Sequence, residues 1–244
     1  MAPFFTGIAK NLGGYGFGRL PSLSLPTPLT DSSVLFDGNN DALTLPSSSA
    51  LAPGSGDFTV EGWVYNTTGV NLYPDVWANS GVIIAFLMDD RSGNATSFIS
   101  DDNYPAGGNS RILTASSTIS QNTWVHVAWV RSGTTITAYI NGVASGSNTS
   151  ATNHTREMQV IGAIGEGSPT SYLYFFDGYI SNVRLVKGTA VYTSGFTPPS
   201  SPLTAITNTS LLALQSPSPL TDNSTNNFTI TIVGGATIST NSPF

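Results

Sequence analysis

The stretch that most constrains the fold is WVHVAWVRSGTTITAYINGV, residues 124–143. Its hydrophobic residues recur with period two, the spacing that places every second side chain on one face of a β-strand. Val125, Val127 and Trp129 fall on one face of the first run, and Trp124, His126, Ala128 and Val130 on the other. Both faces are largely apolar, so this strand should be covered on both sides. Ser132-Gly133 is a turn signal. Residues 134–140 alternate again, with Ile136, Ala138 and Ile140 opposed to Thr135, Thr137 and Tyr139. Asn141-Gly142 fits a type I′ turn, because both residues tolerate positive φ, and Val143 opens a return strand.

The same pattern recurs along the chain. SVLFDGNNDALTLP (33–46) reads as a strand, a turn at 37–40 and a second strand at 42–45. DFTVEGWVY (57–65) places Phe58, Val60 and Val64 on one face. Residues 81–88 are a continuous apolar run, the pattern of a strand buried on both faces. Further strands are expected at 158–164, 172–176, 179–186, 211–214 and 228–233. In YISNVRLV, Ile180 is in phase with Asn182, Arg184 and Val186, while Tyr179, Val183 and Leu185 point the other way. KGTAVYTSGFTPP (187–199) has no strand periodicity and ends in Pro-Pro, so it reads as a loop with one helical turn. Short strands, regular Gly/Pro turns and no credible helix predict an all-β protein. The expected form is a two-sheet antiparallel sandwich over 31–244. PTPLTDSS (26–33) is echoed by PSPLTDNS (217–224). Either the two are equivalent lead-ins that bring the ends of the domain together, or the composition has converged.

The chain has 244 residues, enough for one large all-β domain or two small ones. Its 39% hydrophobic content, with 12 Phe, 9 Tyr and 4 Trp, is sufficient for a sizeable core. Charged residues make up 9%, against ~25% in ordinary soluble domains. The surface must therefore be Ser, Thr, Asn and Gly, which suits an extracellular or virion surface better than a cytosolic enzyme. A net charge of −6 argues against a nucleic-acid partner, since little here could neutralise phosphates. With no cysteine there are no disulfides, thiolate metal sites or Cys nucleophiles. No secretion signal is expected, and no apolar run approaches the ~18 residues of a membrane span.

Residues 1–30 differ in kind. FFTGIAKNLGGYGFGRL combines aromatics with closely spaced glycines, and the Pro-rich PSLSLPTPL follows. Alone such a peptide gains little from folding; docked in a groove it would bury its rings. It reads as an extended attachment arm, with Phe4, Phe5, Tyr15, Phe17 and Arg19 as anchoring residues. A disordered tail is the plainer alternative.

FDGNNDALTLP, DFTVEGWVY, the 124–143 block and YFFDGYISNVRLVKGTAVYTSGFTPP, in this order and spacing, resemble the laminin G-like, concanavalin A-like lectin jelly roll. The resemblance covers roughly residues 33–244. With SLLALQ and TDNSTNNFTIT downstream, it is closest to the version in structural proteins of tailed bacteriophages, marine and cyanobacterial ones especially. It implies two antiparallel sheets packed face to face, about a dozen strands in all. For function it implies glycan or protein binding in many members and hydrolysis in distant ones.

Hydrolysis on this fold needs two carboxylates about 5–9.5 Å apart across the sugar. The acidic run of the glucanase relatives is absent. Of the three glutamates, Glu61 has no acid two or four residues later, and Asp57 lies four before it. His126, between two tryptophans, reads as a structural imidazole; His154 falls in a polar loop. No cofactor is expected. Ca²⁺ is the one ion considered, with Asp89, Asp90, Asp101 and Asp102 as oxygen ligands, solvated loop acids being the default. A sugar site would draw on Tyr73, Trp77, Asn103 and Tyr104.

The expectation is thus a non-enzymatic virion structural protein on the particle exterior. In one form it is a capsid decoration or head-fibre protein, anchored through its arm to the major capsid or a tail protein. In the other it is a tail-fibre or tail-tip adhesin for host surface polysaccharide. Copies are expected to associate by symmetry, as a trimer. Neither nucleic acid nor membrane is an expected partner.

Overall fold

The computed structural model describes residues 32–67, 87–89, 96–98, 119–149, 151, 153–155, 157–165, 172–173, 175–215 and 220–244. In chain order the strands are β1 (Ser33–Asp37), β2 (Ala42–Thr44), β3 (Phe58–Asn66), β4 (Leu87–Asp89), β5 (Thr96–Phe98), β6 (Trp124–Ser132), β7 (Thr135–Ile140), β8 (Val143–Thr149), β9 (Val160–Ile161), β10 (Ile164–Gly165), β11 (Tyr172–Leu173), β12 (Asp177–Lys187), β13 (Thr209–Ala213), β14 (Thr231–Val233) and β15 (Thr237–Ser239). One 3₁₀ turn, Ser49–Leu51, is the only helical element among the described residues. The helical turn expected within 187–199 is therefore absent. That segment instead lies against the sheet, held by side-chain packing and by hydrogen bonds such as Val191 N–H to Thr59 Oγ1 at 2.9 Å.

All strand ladders are antiparallel. The large sheet runs β15-β1-β12-β3-β6-β7-β8, with β13 also paired to β12. The described part of the opposite layer is β14-β2-β9, accompanied by the short ladders β4–β5 and β10–β11. One core joins both layers. Val34, Phe36, Phe58, Val60, Val127, Trp129, Ile136 and Leu185 come from the large sheet, and Leu43 and Ile161 from the other. Trp129, Phe36 and Phe58 are the largest fully buried side chains. Burying each such ring contributes on the order of 1.5–3 kcal/mol.

The 124–143 hairpin sits in this sheet as its alternation predicted. Val125, Val127 and Trp129 enter the main core. On the opposite face, Ala128, Val130 and Tyr139 are covered by Ala190, Tyr192 and Phe196 from the 187–199 loop. Asn141 (φ 49°) and Gly142 (φ 77°) have the two positive φ angles of a type I′ turn. Phe196 N–H donates to Gly142 O at 2.9 Å, which ties the covering loop to that turn.

The expectations for β12 and for residues 158–164 are corrected. In β12, Ile180 shares the main core with Val183 and Leu185, not with Arg184 and Val186. The register against β3 slips by one residue between Ser181 and Arg184, and Asn182 there has φ 54°. This β-bulge inverts the phase of everything after it. His154 lies between exposed Asn153 and Thr155 but is itself fully buried: its ring meets Phe58 edge-on at 5.6 Å, and its backbone bridges to Gly54. The expected strand at 158–164 is split into β9 and the start of β10, separated by Gly162 at φ 86°.

The ends of the described chain meet. β1 pairs with β15, and Ser33 Oγ donates to Asn241 O at 2.6 Å. Ser181 Oγ donates to both Ser32 O and Leu214 O. Hence β13 and β1 share one edge of β12, lying end to end on either side of the bulge.

Candidate functional site

The face of the large sheet turned away from the core carries the most concentrated chemistry among the described residues. On β3, the alternation that sends Phe58, Val60 and Val64 inward sends Thr59, Glu61, Trp63 and Tyr65 outward. β6 contributes Trp124 and His126 to this face. β12 contributes Tyr179 before the bulge and Arg184 after it. Straight pairing would set Val183 opposite Glu61 and turn Arg184 into the core. The extra residue sets Arg184 directly across from Glu61 instead.

Glu61 is the hub. Its Oε1 accepts from Arg184 Nε at 2.9 Å and also from Arg184 Nη2. Its Oε2 accepts from the Tyr192 hydroxyl at 2.8 Å and lies 3.2 Å from His126 Nε2. Arg184 Nη1 donates onward to Thr204 O at 2.9 Å. Glu61 and His126 are 0% exposed and Arg184 5%. Burial alone would push the Glu61 carboxyl up. The His126 hydrogen bond and the Arg184 charge outweigh it, leaving the carboxyl below its ordinary value. The Tyr192 hydroxyl is raised, first by burial and then by the Glu61 charge beside it.

Aromatic rings pave the face around this hub. Trp63 meets His126 edge-on at 5.2 Å and Phe244 at 5.5 Å. Phe196 lies 5.6 Å from His126 and stacks on Tyr192 at 3.6 Å. Farther along, Tyr65, Trp124 and Tyr179 form a half-buried triad, with Tyr65 5.6 Å from Trp124 and 5.5 Å from Tyr179. Trp124 Nε1 donates to Asn241 Oδ1 at 3.2 Å.

Chemically this arrangement is a closed charge network. A general acid for glycoside cleavage needs a raised carboxyl pKa and access to the leaving oxygen. Glu61 has neither. Asp57, four residues before it, accepts from Gly133 N–H at 2.7 Å instead. His126 is wholly buried, with its Nε2 against Glu61. What sequence reasoning missed is its convergence with Glu61, Arg184 and Tyr192. In a chain with only 9% charged residues, a Glu and an Arg inside apolar strands must find partners. That was the available signal, and the bulge hid the register needed to use it.

The residues expected to act lie mostly elsewhere. Phe4, Phe5, Tyr15, Phe17 and Arg19 of the arm fall outside the described residues. So do Tyr73, Trp77, Asn103 and Tyr104 of the sugar site, and Asp90, Asp101 and Asp102 of the calcium set. Asp89 ends β4, its backbone paired in register with Thr96. Among the described residues there is no group of three or more His, Cys, Asp or Glu that could hold a metal. No described helix is long and apolar enough to cross a membrane.

In fold the chain is similar to a candidate carbohydrate-binding protein from Bacteroides ovatus. The TM-score is 0.53 at 15% identity, over 88% of this chain and 60% of that one. It therefore spans less than two thirds of that relative. It is also similar to a heptameric SAP-like pentraxin from Limulus polyphemus (TM-score 0.44, 15% identity, 69% of this chain and 81% of that one). A third likeness is to domains LG4-5 of the mouse laminin α1 chain (TM-score 0.39, 18% identity, 71% and 49%). No curated protein sequence matches the chain. The laminin G-like family model matches residues 37–191, more than half of the chain and every strand of the Glu61 hub. Sandwich, topology and family match agree: the chain belongs to the concanavalin A-like lectin/glucanases superfamily, in its laminin G-like group.

Proposed function

We propose that this lectin-like domain is a non-enzymatic display module of a bacteriophage virion, exposed on the particle exterior and offering weak glycan adhesion. Residues 1–30 attach it to a capsid or tail protein. The observation that carries the non-enzymatic half is the state of Glu61. The carboxylate at the centre of the large sheet is fully buried, held below its ordinary pKa and paired on both oxygens. The virion half rests on the ordered sequence blocks from 36 to 231 and on the low share of charged residues. Adhesion by a single weak site becomes useful when many copies share one particle.

Incorporation into particles after deletion of residues 1–25 tests the attachment. Loss of the protein from purified particles is expected, and normal incorporation overturns it. The family and the likeness to a candidate carbohydrate-binding protein favour a second reading, a tail adhesin whose main task is host glycan recognition. A glycan array separates the two: strong, selective binding favours the adhesin, weak or broad binding the display module. Turnover of any algal or cyanobacterial polysaccharide would overturn both. Calcium at Asp89, Asp90, Asp101 and Asp102 stays a subsidiary proposal, tested by whether EDTA lowers the melting temperature.

A further inference from the structure

Among the described residues, one side of the sandwich is left open. β15 is the last strand of the large sheet and β14 the last of the opposite layer. Only residues 234–236 join them, so the two edges lie on the same side, within about 10–14 Å of chain. Among the described residues no strand pairs on the outer edge of either. Ile238 stands directly opposite Val34, and Ile232 directly opposite Leu43. Directly opposed residues share a face, and Val34 and Leu43 are wholly buried core residues. Both isoleucines therefore point between the layers, yet Ile232 is 41% exposed and Ile238 51%. An inward-facing isoleucine left half in water marks a core that stops before it is closed. Natural edges are normally guarded by charge, proline or a bulge. Neither edge strand carries a charge or a proline, and residues 223–244 contain no charged residue at all.

We propose that this side is closed by a second copy of the chain, β15 pairing antiparallel with β15 of the other copy about a two-fold axis at Ile238. Three features select a second copy. Unpaired backbone donors and acceptors on a strand edge recognise another strand. An antiparallel edge contact is self-complementary, the condition for a closed two-fold dimer. Each copy carries a net charge of −6, so copies repel except where a surface is free of charge, and 223–244 is such a surface. Centring on Ile238 pairs all three residues of the strand, Thr237 of one copy opposite Ser239 of the other. The opposite edge, β8, is guarded: its register slips against β7 between Thr137 and Tyr139, with Gly146 at φ 139°. The inference stands apart from the virion reading, since it concerns only how copies meet.

The absence of cysteine provides a direct test. In the full chain, Ile238→Cys introduces the only thiol, which the two-fold axis sets against its own copy. Copper–phenanthroline oxidation should give a covalent dimer, while Val143→Cys on the other edge stays monomeric. Independently, the wild type should sediment as a dimer at micromolar concentration. Ile232→Lys with Ile238→Lys should abolish the dimer with an unchanged circular dichroism spectrum, while Ile206→Lys, exposed elsewhere, leaves it intact. A monomeric or trimeric wild type, equal cross-linking at both edges, or a dimer surviving the double lysine variant would overturn the proposal. If the lysine variant does not fold, the cross-linking pair decides.

Discussion

Glu61 is the residue on which stability and pH response turn. Removing it leaves Arg184, His126 and Tyr192 facing one another without their shared acceptor. Breaking a buried ion pair from one side costs about 3–5 kcal/mol, so Glu61→Ala should lower the denaturation midpoint severely, and Glu61→Gln less. The folded carboxyl lies below its ordinary value of 4.5. Its contribution is therefore present above that value and lost as pH falls through the folded pKa. Urea melts from pH 7 to pH 3 should show the gap between wild type and Glu61→Gln closing as acid is added; a constant gap would refute the assignment. Tyr192 works in the opposite sense. Its hydroxyl is raised, so its contribution is full below the ordinary value of 10.0 and lost as pH climbs beyond it. Tyr192→Phe should cost about 1 kcal/mol at neutral pH, with the deficit shrinking above pH 10 in the same melts.

At the scale of elements, β12 decides how the sheet is wired. Asn182 holds the bulge: its N–H donates to Leu214 O at 2.7 Å, and its Oδ1 accepts from Leu203 N–H at 2.8 Å. Asn182→Gly keeps the positive φ but strands the Leu203 N–H, a cost of about 1–3 kcal/mol. Deleting Asn182 removes the extra residue, so Ser181 stays opposite Trp63 and Arg184 opposite Glu61 in unbroken pairing, and the facing of the strand is kept. It too strands the Leu203 N–H. Thermal melts should give a cooperative but weakened transition for both variants; a deletion variant without a cooperative transition would show that the bulge does more than set the phase. The same strand marks the limit of what the sequence made legible. Continuous alternation in 124–140 and 57–65 reports burial directly, so β3, β6 and β7 could be read from residues alone. A bulge is a one-residue event with no period, and Asn in αL is its only trace. Strands of two or three residues, such as β9, β14 and β15, are too short to carry a period. The covering loop at 187–199 is held by Tyr192 and Phe196 packing, which no local pattern encodes. The Glu61 hub needed both the bulge and that loop, so its parts were visible and their meeting was not.

At the scale of the whole molecule, charge and shape pull in different directions. Two sheets close around one core, and the covering loop seals much of the outer face. Among the described residues the β14–β15 side stays open, with Ile232 and Ile238 facing inward and half exposed. A copy with net charge −6 approaching another is repelled by the overall charge, although the 223–244 surface itself carries none. That repulsion is screened over ~8 Å at physiological ionic strength. The edge contact itself contains backbone hydrogen bonds and isoleucine, which salt does not weaken. Self-association should therefore strengthen as sodium chloride rises from millimolar to physiological concentration. Sedimentation equilibrium reads this as a falling dimer dissociation constant. The Ile232→Lys, Ile238→Lys variant should remain monomeric throughout. An interface built from ion pairs would respond in the reverse sense, because screening removes its attraction. Dissociation that rises with salt would therefore place the contact on the charged part of the surface and away from the open side.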